Sequence, residues 1–228
     1  MEFVLVHGAY HGSWCWDLVQ TELVSRGHRV VTMDLPIGDP DSDLCAYRDT
    51  VLEAASGLEA PVVVGHSMAG AVIPLVAESR AVTSLVFLSA FLPSPGTSLN
   101  ELRAAEPLEK YRLSTVEFED LGDQVWMVGT ATARELFFHD VPKDLARWAE
   151  KLLRPQCYRV FDEASPLRAW PDVRSAYVLC TEDRALNPDW SRSAAQHRLG
   201  VTPIELSGGH SPFLSRPAQL AAALLAAT

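Results

Sequence analysis

Gly65-His66-Ser67-Met68-Ala69-Gly70 follows the β-branched run Pro61-Val62-Val63-Val64 and precedes the helix-like run Ala71-Val72-Ile73-Pro74-Leu75-Val76-Ala77-Glu78. A serine framed by small residues, set between a buried strand and a helix, is the context of a nucleophile elbow. Gly65 and Ala69 keep bulk away from the turn, and the tight turn pushes the Ser67 hydroxyl out of the sheet. The helix beginning there aims free N–H groups at an adjacent oxyanion. Ala69 stands where the G-x-S-x-G pattern has its last glycine. The strand–turn–helix setting therefore carries the reading.

Outward from this turn, strand-like and helix-like runs alternate. Strands are expected at Phe3–His7, His28–Leu35, Pro61–Gly65, Val82–Ala90, Arg174–Cys180 and Val201–Leu206. Helices are expected at Trp14–Ser25, Ser42–Ser56, Met68–Arg80, Pro188–Leu199 and Pro212–Ala227. Near-continuous apolar strands in such alternation predict an α/β fold, a mostly parallel sheet with helices on both faces. Pro93 to Pro171 breaks the rhythm with seven prolines, no clear strand, and short helical pieces at Ala131–Phe138 and Lys143–Leu153. At about 80 residues it far exceeds an ordinary connection. The expectation is a single domain over 1–228, with a core at about 1–92 and 172–228 and a helical cap insertion at about 93–171.

The 228 residues suffice for one domain with a sizeable core. A net charge of −10 argues against nucleic acid and anionic membrane surfaces as partners. A second copy of the chain, as a homodimer, is the one macromolecular partner left open. Cys15, Cys45, Cys157 and Cys180 form no C-x-x-C pair and read as buried thiols. No metal-ligand spacing occurs, and no cofactor is expected. The opening Met1–Val6 lacks a basic stretch and a cleavage site, no run approaches a membrane span, and a cytoplasmic protein is expected.

Active groups of an open α/β sheet lie beyond the carboxyl ends of its strands. Ser67, Asp183 (in Thr181-Glu182-Asp183-Arg184) and His210 (in Gly208-Gly209-His210-Ser211) all follow expected strands. A serine hydroxyl is a weak nucleophile at neutral pH. An imidazole must take its proton and a carboxylate must hold that imidazole in the right tautomer. Glu182 and Asp172 rival Asp183, but Asp172 precedes its strand. Among the other histidines, His28 lies in a helix-to-strand turn, His197 on an outward helix and His139 in the cap. His66 sits inside the elbow, and His7 and His11 flank the first glycine turn. That turn, His7-Gly8-Ala9-Tyr10-His11-Gly12, offers the N–H of Ala9, which with the N–H of Met68 makes a two-donor oxyanion hole.

The run Phe3-Val4-Leu5-Val6-His7-Gly8-Ala9-Tyr10-His11-Gly12-Ser13-Trp14-Cys15-Trp16 is closely similar to the opening of the plant methylesterase and hydroxynitrile lyase branch of the α/β hydrolases, which includes bacterial esterases. The similarity continues through Arg26–Val30, Asp34-Leu35-Pro36, Gly65–Gly70, Leu152–Pro155, Thr181–Asp183 and Gly208–His210. The resemblance implies a Ser67–Asp183–His210 triad and an oxyanion hole at Ala9 and Met68. The lyases of the branch carry a threonine where this chain has Gly8 and a lysine where it has Ser211. Both departures favour ester hydrolysis. Methylesterases of the branch often carry methionine at the position of Ser211, so Ser211 departs from them too.

The expectation is a serine carboxylesterase acting on a small aromatic or apolar ester. Tyr10, Trp126, Phe138, His139, Phe161 and Ser211 are its candidate pocket residues. The alternatives are a thioesterase, lactonase or tailoring hydrolase with the same triad, a hydroxynitrile lyase, and a non-catalytic ligand-binding member of the fold.

Overall fold

The computed structural model describes residues 1–109, 112–114 and 116–228. Strands β1 (Glu2–Val6), β2 (Arg29–Thr32), β3 (Val62–His66) and β4 (Ser84–Leu88) alternate with helices α1 (Asp17–Ser25), α2 (Leu44–Ala54) and α3 (Ile73–Ser79). Between β4 and the next long strand lie α4 (Leu99–Ala105), β5 (Phe118–Asp120), β6 (Val125–Val128), α5 (Thr130–Leu136), α6 (Lys143–Glu150), β7 (Gln156–Cys157) and α7 (Arg159–Asp162). The chain then returns through β8 (Ser175–Cys180), α8 (Pro188–Leu199), β9 (Ile204–Leu206), α9 (Pro212–Ser215) and α10 (Pro217–Ala226).

Six strands form one sheet in the order β2-β1-β3-β4-β8-β9, and every neighbouring pair is parallel. All of β3 and β4 is buried, as their apolar, β-branched sequences demand. Alternation along the strands splits the core. Val4, Val63, Leu85, Phe87 and Tyr177 face α2, α3 and α8, whereas Phe3, Leu5, Val64, Val86 and Val178 face α1, α9 and α10. The strand order reverses between β1 and β3, so the connections leaving their carboxyl ends diverge and open a crevice.

Local chemistry fixes the helix ends. Asp43 caps α2 by accepting from the Ala46 N–H at 2.7 Å. In α8, Asn187 caps, Pro188 leads and Gly200 closes the helix in the left-handed region. The expected helix Pro212–Ala227 is two helices, broken at Arg216 before Pro217. The expected helix at Met68 starts instead as a 3₁₀ turn over Ser67–Ala71 before α3.

The segment between β4 and β8 differs from expectation. It carries an antiparallel sheet, β5-β6-β7, where the sequence reading found no strand. The reason lies in the strands themselves. They span three, four and two residues, and Phe118-Glu119-Asp120 is exposed throughout, so no buried period exists to detect. A turn with positive φ at Gly122, Asp123 and Gln124 joins β5 to β6. Backbone bonds tie the segment down: Arg154 N–H to the Tyr10 carbonyl at 2.7 Å and Cys157 N–H to the Ile37 carbonyl at 2.6 Å. All four cysteines are free thiols. Among the described residues, no helix is long and apolar enough to cross a membrane.

Candidate active site

Ser67 leaves β3 with φ at +54°, a left-handed conformation that is strained for a serine. The small neighbours make that turn possible. A Cβ on Gly65 would lie 2.8 Å from Ile73 and 2.9 Å from the Ala69 carbonyl. One on Gly70 would lie 2.0 Å from the Phe91 carbonyl. The Phe91 N–H in turn donates to the Ser67 carbonyl at 3.1 Å, so the turn is pinned to the chain beyond β4.

Asp183 and His210 leave β8 and β9. The His210 Nδ1–H donates to Asp183 Oδ2 at 2.7 Å, and both side chains are 2% exposed. Asp183 Oδ1 accepts the N–H groups of Ala185 and Leu186 at 2.8 and 2.9 Å. Those bonds fix the carboxylate and leave Oδ2 for the imidazole. With Nδ1 committed, the neutral ring keeps its lone pair on Nε2.

Ala9, Ser67 and His210 border one cavity of about 320 Å³. His7 Nδ1–H donates to the Gly8 carbonyl at 2.8 Å while its Nε2 accepts from Leu35 N–H at 2.9 Å. His11 Nδ1–H donates to the Ala9 carbonyl at 2.7 Å. The turn at the end of β1 is thus held from both sides. Burial drives His7 down to about 4 and His11 to about 3, and it holds His66 well below the ordinary histidine value. His66 donates from Nε2 to the His210 carbonyl at 3.0 Å. Met68 is fully buried next to Ser67.

The cavity walls come largely from the segment between β4 and β8. Phe118, Leu136, Phe137, Tyr158 and Phe161 line it, with Phe91 and Tyr10 from sheet connections. Tyr10, at φ +63°, donates its hydroxyl to that of Tyr158 at 3.0 Å. Burial, before any other cause, pushes the Tyr10 pKa upward. Arg103, Glu109 and Arg184 supply the charged part of the lining, and Arg103 pairs with Glu109.

Of the expected pocket residues, Tyr10 and Phe161 line this cavity and four do not. Trp126, on the unforeseen strand β6, borders instead an adjoining surface groove with Gln124 and Asp162, which shares Phe118 and Tyr158 with the cavity wall. Phe138 is 1% exposed and packs in the core against His11, while its neighbour Phe137 faces the cavity with its ring 5.8 Å from that of His210. His139 donates to the Glu182 carbonyl at 3.0 Å. Ser211 is fully buried at the start of α9 and does not line the cavity. The sequence reading missed Phe91, Phe118, Leu136, Phe137 and Tyr158. Only their apolar character marks them in sequence, and core residues share it.

Residues 3–223 match the alpha/beta hydrolase family. The chain belongs to that family. Salicylic acid-binding protein 2 of Nicotiana tabacum is 30% identical over 98% of this chain and 95% of its own length. Methyl jasmonate esterase 1 of Vitis vinifera is 28% identical over 97% and 94%. The crystal structure of polyneuridine aldehyde esterase superposes with a TM-score of 0.84 at 23% identity, over 99% of this chain and 98% of that one. The chain is an esterase-type hydrolase of the plant methylesterase-like branch, and the six-stranded parallel sheet is its α/β-hydrolase core.

Proposed function

We propose that this hydrolase cleaves a small carboxylic ester through an acyl-enzyme on Ser67. His210 Nε2 takes the proton of the Ser67 hydroxyl as its oxygen attacks the ester carbonyl, and then gives it to the departing alcohol. Asp183 keeps the imidazole in the reactive tautomer. The N–H groups of Ala9 and Met68 receive the tetrahedral oxyanion. Water, deprotonated by the same imidazole, then releases the acid and restores Ser67.

One observation carries the reading: Ser67 and His210 border the same cavity, and the buried Asp183–His210 bond lies behind it. The apolar and aromatic walls suit an aromatic or aliphatic ester, and a volume of about 320 Å³ suits a small one. Gly8 favours hydrolysis over the lyase reaction. A Cβ there would lie 2.9 Å from both Ser67 Cβ and His66 Nδ1, so this turn has no room for the lyases' threonine. A thioester or lactone would meet the same groups, and rates on matched ester, thioester and lactone panels separate the three.

The direct test is an active-serine phosphonate probe followed by peptide mapping. Labelling of Ser67 in the native chain, lost in His210→Ala, is expected. A chain that hydrolyses esters while Ser67 stays unlabelled overturns the mechanism.

A further inference from the structure

We propose that His139 and Asp140 are positioning residues that clasp the two loops carrying Asp183 and His210. The proposal rests on the roles given above to Ser67, Asp183 and His210. His139 Nε2–H donates to the carbonyl of Glu182, one residue before Asp183, at 3.0 Å. Asp140 Oδ2 accepts the N–H of Gly209, one residue before His210, at 2.9 Å. The loops are joined to each other by the Glu182 N–H, which donates to the Gly208 carbonyl at 2.9 Å. Two consecutive residues of the segment between β4 and β8 therefore close a ring of hydrogen bonds through both loops.

The loop backbone is shaped to receive them. A Cβ on Gly209 would lie 2.5 Å from His139 Nε2 and 2.7 Å from Asp140 Oδ1. Gly208 sits at φ +115°, where a side chain is strained. Arg216, just before α10, pairs with Asp140 Oδ2 at 2.6 Å and balances its charge. Among the described residues Asp140 Oδ1 is buried without a partner, a cost that an apolar residue at this position would avoid. The carboxylate is thus placed for the Gly209 N–H and Arg216. Small errors in catalytic geometry reduce turnover far more than binding, so the clasp acts on kcat.

The test compares Asp140→Ala, Asp140→Asn, His139→Ala and His139→Gln with Glu150→Ala and Ser67→Ala. Glu150 pairs with Arg134 at 2.8 Å within the same segment, so its variant reports general loosening. Asp140→Ala is expected to lower kcat by about 10- to 100-fold with KM within about twofold. Asp140→Asn, which keeps an acceptor for Gly209 N–H, falls less. His139→Gln, which keeps a donor, recovers turnover lost in His139→Ala. The downfield proton resonance of His210 Nδ1–H shifts or broadens in Asp140→Ala and stays unchanged in Glu150→Ala.

An unchanged kcat and resonance in Asp140→Ala overturn the clasp, as does an equal kcat loss in Glu150→Ala. Should Asp140→Ala fail to fold, Asp140→Asn and the His139 pair decide by the same measures. Turnover surviving in Ser67→Ala sinks the underlying mechanism, and the resonance then judges the clasp alone. Inactive Ser67→Ala beside normal Asp140 and His139 variants sinks only the clasp.

Discussion

The six-stranded sheet and the segment between β4 and β8 contribute to the candidate site in opposite ways. The sheet presents Ala9, Ser67, Asp183 and His210 at strand ends, from backbone pinned to neighbouring strands and, for β1 and β3, buried almost throughout. The segment supplies side-chain bulk, with Phe118, Phe137, Tyr158 and Phe161 around the cavity, from short helices and a small sheet whose outer strand is exposed. Reactive groups need fixed distances, which a buried parallel sheet provides. Cavity walls need shape and greasy surface, which many sequences supply. Substitutions in the sheet half should therefore alter chemistry or folding, and substitutions in the cavity walls of the other half, unlike those at His139 and Asp140, should alter mainly which substrate fits.

Ser67→Ala is the sharpest way to break that contrast. Loss of the proposed nucleophile should lower kcat on the order of 10⁴- to 10⁶-fold with little change in thermal stability. A residual rate within tenfold of the native one would place the chemistry elsewhere.

Acid should distinguish the halves next. His7, His11 and His66 are buried in the sheet half, and burial is the main cause that lowers each. A histidine lowered on folding binds its proton more readily in the unfolded chain. Its stabilising contribution is therefore complete above about pH 6.5 and declines as the pH falls towards about 4 for His7 and about 3 for His11. Between pH 7 and 5.5 His7 and His11 should each cost about 1 kcal/mol, about 2 kcal/mol together, and His66 acts in the same direction. Urea midpoints across that range measure it, and a flat profile would mean that these rings are not held neutral.

A third comparison sets Gly70→Ala against Gly122→Ala. The first drives a methyl into the Phe91 carbonyl, and the second meets only backbone strain, because nothing lies within 4 Å of its added Cβ. Losses of about 3 kcal/mol and about 1 kcal/mol are expected from chemical denaturation. Equal losses would show that the elbow yields as easily as the β5–β6 turn.

Phe118→Ala should have the smallest effect. Phe118 lines the cavity yet is 36% exposed, so stability should change by about 0.5 kcal/mol or less. Its kcat/KM should fall several-fold for a bulky aromatic ester through KM, and less for an acetate ester. A fall in kcat with KM unchanged would mean that the wall also shapes the reactive geometry.

The parallel sheet and the serine, aspartate and histidine positions were legible because each rests on local chemistry. Strands buried on both faces must be apolar along their length, as Val62-Val63-Val64 is. A turn as tight as Gly65–Gly70 tolerates only small flanking residues, and groups that follow parallel strands emerge at one edge. The segment between β4 and β8 was not legible in this way. Strands of two to four residues with exposed faces leave no period in the sequence, so β5, β6 and β7 exist only as pairings across the fold.

Tertiary structure also chose Phe137 over Phe138 and turned Trp126 to an outer groove, because neighbouring residues point in different directions and the sequence does not say which of them meets the cavity. His139 had been expected in the pocket, but packing brought it and Asp140 against Glu182 and Gly209. The sequence by itself determined the sheet and the candidate reactive groups, since backbone sterics and burial act over a few neighbouring residues. The cavity and the clasp were decided only in three dimensions, since they join residues up to about two hundred positions apart, between which no local preference acts.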